Sequence, residues 1–106
     1  MKTKVKSKSL EFSALVKEEL KKPKFAAEYL NEHMSYNGDM KQELLIQAFM
    51  NVIEAHGVSK VANRTDVARR TIYSSFKNKG NPTLATLLSL MDELGVKIKF
   101  EPKKAG

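Results

Sequence analysis

Apolar residues recur along this chain at two different spacings, and the change from one to the other marks where its architecture changes. From Met40 to His56, Leu44, Leu45, Ala48, Phe49, Val52 and Ile53 fall three and four residues apart, the stripe of an amphipathic helix, and Gly57 follows as a left-handed terminator. Asp39 stands where an N-cap would sit, after the helix-breaking "SYNGD". Upstream, Phe25, Ala26, Tyr29, Leu30 and Met34 share one arc of a shorter helix that starts at Pro23, a residue suited to a first helical turn. Ser9 could cap an earlier helix through "LEFSALVKEELKK". Downstream, "VSKVANRT" and "DVARRTIYSSFKN" read as two short helical units meeting at Thr65 and Asp66. After the loop "NKGNPT", with Asn81 or Thr83 as cap, Leu84, Leu87, Leu88, Leu90, Met91 and Leu94 define one more helical face, ended by Gly95.

The period then drops to two. "VKIKFE" alternates Val96, Ile98 and Phe100 with Lys97, Lys99 and Glu101, the pattern of a half-buried strand. A lone strand needs a ladder, and no other stretch supplies one. Its partner is therefore expected in another molecule, either the same segment of a second subunit or an edge strand of a different protein. The fold class is all-α with a short C-terminal β-strand.

Composition narrows the function. At 106 residues and 42% hydrophobic content the chain fits one domain with one modest core. With no cysteine there is no disulfide or thiolate metal site, which fits a reducing compartment. No apolar run is long enough to span a bilayer, and the start "MKTKVKSKS" runs into a segment too charged for a signal peptide. A cytoplasmic protein without a membrane partner is the expectation. The formal charge is +7, unevenly spread. Residues 1–24 hold eight Lys against three Glu, residues 25–57 one Lys against five acids, and residues 58–81 six Lys and Arg against Asp66 alone. Two basic blocks flank an acidic one, which favours a polyanionic partner such as nucleic acid.

The second basic block is two-faced. On a wheel starting at Val67, one half gathers Val67, Ala68, Thr71, Ile72, Ser75 and Phe76, and the other gathers Arg69, Arg70, Tyr73, Ser74 and Lys77. A merely solvated helix mixes acids with bases, yet Val67 to Gly80 contains no acid. Arg can bond both acceptors of a guanine edge, Ser can bond base edges, Lys can neutralise phosphate, and a helix fits the major groove by width. Lys60, Arg64, Lys77 and Lys79 are the candidate phosphate contacts, and Tyr73 is better placed to bond a phosphate than to stack on a base. In the unit before, Ala62 is small where the two helices would cross, and Val61, Val67 and Ile72 take inward positions.

This spacing resembles the helix-turn-helix of the XRE/Cro-like family, in which a small residue is followed four positions later by the turn, usually Gly. Here Asp66 stands at the turn, a residue that visits the left-handed conformation more easily than most. The ordered features "GVSKVA", "TIYSSF", "GNPTLATLL" and "ELGVKI", within residues 23–100, resemble the small HigA-type antitoxins, the addiction-module antidote proteins. The resemblance implies a five-helix domain that dimerises, binds a double-stranded operator in its own promoter and neutralises a RelE-like ribonuclease toxin. It puts the base-reading offsets on Ala68, Arg69, Arg70, Tyr73 and Ser74.

Other chemistry is sparse. His33 and His56 are too far apart in sequence to suggest a metal or acid–base pair, and His56 lies at a helix C-terminus, where positive charge is favourable. Glu18, Glu19, Glu28 and Glu32 lack any accompanying nucleophile or metal motif. No enzyme activity, cofactor or metal is expected. The acidic block from Glu28 to Glu54 offers a docking region for a basic toxin. The expected organisation is a basic tail and extension helix over residues 1–22, a DNA-binding domain over 23–101 and a tail over 102–106. A phage-type repressor without a toxin, and an interaction domain that binds no DNA, are the alternatives the sequence leaves open.

Overall fold

In a computed structural model, the structure describes residues 14–77 and 79–104. Ser9 and the Lys-rich opening lie outside them. All regular structure among the described residues is helical: α1 (residues 14–20), α2 (Pro23–Ser35), α3 (Lys41–His56), α4 (Val58–Arg64), α5 (Arg69–Phe76) and α6 (Leu84–Leu94). No helix is long and apolar enough to cross a membrane among these residues.

α3 is the hub, packing against α2, α4, α5 and α6. Its Met50, Val52 and Ile53 are wholly buried, and Ala48 and Ala55 nearly so. The apolar stripe expected for α3 therefore captured only part of its buried surface. Met50 lies off that stripe, and it is covered because neighbours pack on more than one side of the helix. Leu44, conversely, is exposed. Around α3 the core closes with Leu30 of α2, Ile72 and Phe76 of α5, and Leu90 and Leu94 of α6. Phe49 meets Phe76 edge to face, with ring centroids 6.3 Å apart. Leu20 of α1, 3% exposed, belongs to this same core. Each fully buried large side chain of this kind stabilises the fold by about 1.5–3 kcal/mol before entropy is counted.

The helix boundaries have local causes. Pro23 opens α2 as expected, and Thr83 caps α6 through a 3.1 Å bond from the Thr86 N–H. Gly57, at φ +101°, ends α3 by donating to the Ile53 and Glu54 carbonyls, and its own carbonyl accepts the Val61 N–H of α4. Gly95, at φ +75°, ends α6 against the Pro23 ring. α3, however, does not begin at an Asp39 cap. The Tyr36 hydroxyl donates to the Asp39 carbonyl at 3.1 Å, its ring fills the space where a side chain on Gly38 would stand, and Met40 turns left-handed at φ +61° to become the N-cap.

The C-terminal strand does not form in the single chain. Val96 packs on the core and bonds the Met91 carbonyl at 3.0 Å, but residues 97–104 carry no regular structure. The reason is the one the alternation implied: among the described residues no strand exists for it to pair with. On α6, Leu84 and Leu88 also depart from expectation. They are 69% and 49% exposed, because α3 and α4 cover only the Leu90, Met91 and Leu94 side.

His56 is a further correction. Its place in the last turn of α3 would favour a proton, but burial holds its pKa below the ordinary 6.5, reinforced by Lys60 and opposed by Glu93. Its Nε2 is buried with no hydrogen-bond partner among the described residues. The unfolded chain therefore binds this proton more tightly than the folded one, so the stability it contributes is complete above pH 6.5 and is lost as the pH falls toward the depressed folded value. The thermal midpoint is expected to fall between about pH 7.5 and about pH 5, and to fall less in His56→Gln. Equal losses in the two proteins would place the acid sensitivity elsewhere.

Candidate nucleic-acid interface

α4 and α5 are joined by Thr65–Ala68, and the whole connection is organised by one hydroxyl. Thr65 Oγ1 donates to the Val61 carbonyl at 2.9 Å and accepts the Val67 N–H at 3.2 Å, while the Thr65 N–H donates to the Ala62 carbonyl at 3.3 Å. These bonds close the last turn of α4 and fix the direction in which the chain leaves it. Asp66 is not left-handed: among the described residues only Met40 and Lys79 of the non-glycine residues have positive φ. The turn is thus made by threonine hydrogen bonding in extended backbone (φ −128°, ψ 176° at Thr65), so no glycine-like conformation is needed. Sequence reasoning passed over Thr65, although a Thr–Asp pair after a helical stretch is itself a turn signal.

Val67 then enters the core, Ala68 acts as N-cap in extended conformation, and α5 begins at Arg69. Its inner face is Ile72, Ser75 and Phe76, all buried. Ala68 and Thr71, placed on the inner half by the wheel, are exposed, because the helix starts two residues after Val67 and meets α3 and α4 through a narrower arc. Arg69, Arg70 and Ser74 are exposed, and Tyr73 is half-buried. Ser74 Oγ donates to the Thr71 carbonyl at 3.2 Å.

Charge on this face is arranged around the tyrosine. Arg69 lies 5.3 Å and Lys77 5.5 Å from the Tyr73 ring centroid, one turn before and one turn after it. Two arginines in the first turn of a helix that lacks a side-chain cap oppose its dipole, so local helix stability does not explain them. Lys79 stands on the loop beyond, where Gly80 comes so close to the Ser74 and Ser75 backbone that any Cβ would collide with it.

The four candidate phosphate contacts divide into two pairs. Lys60 and Lys79 are exposed and belong to no ion pair among the described residues. Arg64 reaches across to Glu93 of α6 at 3.5 Å, and Lys77 to Glu54 of α3 at 3.3 Å. The carboxylates that hold them lie on other helices, far off in sequence. No group of three or more His, Cys, Asp or Glu that could hold a metal ion occurs among the described residues.

Residues 10–102 match the family described as probable addiction module antidote protein. The chain belongs to that family. This antidote-family match reaches back over α1, beyond residues 23–100 where the sequence features lie. The chain is also similar to an uncharacterised protein of Haemophilus influenzae (strain ATCC 51907 / DSM 11121 / KW20 / Rd). The two are 26% identical over 76 residues, which cover 72% of this chain and 75% of that one. No solved structure matches. Antidote-family membership supports a toxin–antitoxin role at the level of class.

The Thr65 hydroxyl accounts for the exit direction of α4, and its loss has a defined outcome. Thr65→Val keeps the volume but strips both side-chain bonds, and should lower stability by about 1–2 kcal/mol in denaturant unfolding. A variant as stable as the parent would show that packing alone holds the turn.

Proposed function

We propose that this antidote-family chain is a HigA-type antitoxin that binds double-stranded DNA as a homodimer, represses its own promoter and neutralises a RelE-like ribonuclease toxin in the cytoplasm. The carrying observation is the acid-free outer face of α5, set beside a tightly tied α4. In this reading α4, the Thr65 connection and α5 act as an XRE/Cro-like helix-turn-helix within the domain, with α5 in the major groove.

Roles then follow from position. Arg69 and Arg70 bond guanine edges, and Ser74 a base edge one turn on. Exposed Ala68 at the N-cap lets backbone and methyl approach a base closely. Tyr73, steadied by its two cations, presents its hydroxyl to the groove wall. Lys60 and Lys79 engage phosphate directly, while Arg64 and Lys77 must exchange a carboxylate for a phosphate. Such exchange is cheap, because partly exposed ion pairs contribute about 0–1 kcal/mol. Two copies would read half-sites about 34 Å apart, one helical turn. The acid-rich α2 and α3 surface supplies the counterpart for a basic toxin.

Fluorescence anisotropy on duplexes from the chain's own promoter tests the DNA reading. Arg69→Ala with Arg70→Ala should weaken operator binding by about a hundredfold or more while the chain still unfolds cooperatively as a helical domain. The parent's affinity should fall with salt at a log–log slope of about −5 for six phosphates contacted. Salt-independent binding, or an unaffected double variant, would leave only a protein-interaction role for this face.

A further inference from the structure

In the segment after Val96, sequence pattern and surroundings disagree. Phe100 is 91% exposed and Ile98 39% exposed, although their alternation with charged residues is that of a strand with one dry face. No backbone hydrogen bond involves residues 97–104 among the described residues. An open row of N–H and C=O groups flanked by apolar side chains is a template for strand pairing.

We propose that residues 97–101 pair antiparallel with the same residues of a second copy, in a register centred on Lys99. The proposal rests on the homodimer reading above and adds the contact that makes it. In an antiparallel pair, residues directly opposite share a face, so the side chains themselves discriminate between registers. Centring on Lys99 sets Ile98 opposite Phe100 twice on one face, and Lys97 opposite Glu101 twice on the other. Only Lys99 meets its own like charge. Centring on Ile98 instead sets Lys97 opposite Lys99 twice. Centring on Phe100 puts Pro102, which has no N–H, opposite Ile98 within the ladder, and Lys97 opposite Lys103.

The ends of the ladder agree with the chosen register. There, Val96 lies opposite Pro102. The Val96 N–H is already committed to the Met91 carbonyl, and Pro102 has none to give, so pairing stops at both ends of residues 97–101. The apolar side of the ribbon is the side shared with Val96, which already packs on the helical core.

Two measurements on the full chain decide this. In sedimentation equilibrium, Glu101→Lys should weaken the dimer about tenfold, since it turns two opposite-charge pairs into like-charge pairs, and Lys97→Glu with Glu101→Lys should restore it. The helical unfolding signal should not change. The chain has no cysteine, so introduced thiols report pairing directly. Lys99→Cys should form an intermolecular disulfide readily, because residues opposite each other lie about 4.5–5.5 Å apart. Lys97→Cys should not, since its two copies would stand about 13 Å apart. Disulfides at both positions would mean parallel strands and overturn the register. A dimer indifferent to Glu101→Lys would overturn the ribbon while leaving dimerisation standing. A chain that stays monomeric at all concentrations would overturn both.

Discussion

An eight-residue helix has almost no stability of its own in water, because the cost of nucleating it is recovered over too few hydrogen bonds. α5 is such a helix, and it carries charge that further opposes it, with arginines in its first turn and no side-chain cap. It exists because Ile72 and Phe76 are drawn wholly into the core built around α3. That burial fixes the rotation of α5 about its axis and so decides which side chains face outward. The other parts of the candidate surface depend on it. Tyr73 can hold Arg69 and Lys77 beside its ring only while the opposite face is anchored, and Gly80 can close against the end of the helix only if that end is in place.

Much of this could be read from apolar spacing. The stripe that placed Ile72 and Phe76 inside and Arg69, Arg70 and Ser74 outside is a property of a single helix, and single-helix properties are visible one residue at a time. What the spacing did not show depends on neighbours. Met50 is buried because α3 is covered on several sides, and Leu84 and Leu88 stay exposed because α6 is covered on one. Asp39 lost its expected place to Met40 through a tyrosine ring folding over Gly38. At His56 burial, which depends on the neighbours packed around it, lowers the pKa. The Glu93 and Glu54 partners of Arg64 and Lys77 are joined to them by packing alone, for which the sequence has no local signature.

The turn before α5 shows two solutions to one steric problem. A sharp change of direction between short helices can be made by a residue that tolerates left-handed dihedrals, or by a side chain that satisfies the freed backbone groups while the dihedrals stay ordinary. This chain takes the second route, with Thr65 bonding both the helix behind and the residue ahead. Asp66 is thereby released from any conformational duty and is simply an exposed acid at the foot of an otherwise basic surface.

Gly57 is the hinge pin of the molecule. It is both the last cap of α3 and the first of α4, so no slack chain separates the two helices. The angle between them is consequently set by how Val58 and Val61 seat in the core rather than by a loop that could absorb error. α4 passes that angle to α5 through the Thr65 turn. Small volume changes deep in α3 would therefore be transmitted, lever-like, to the outward face some distance away. In a symmetric pair the effect would double, so the spacing between the two faces could drift over evolutionary time through core substitutions alone, with no exposed residue altered.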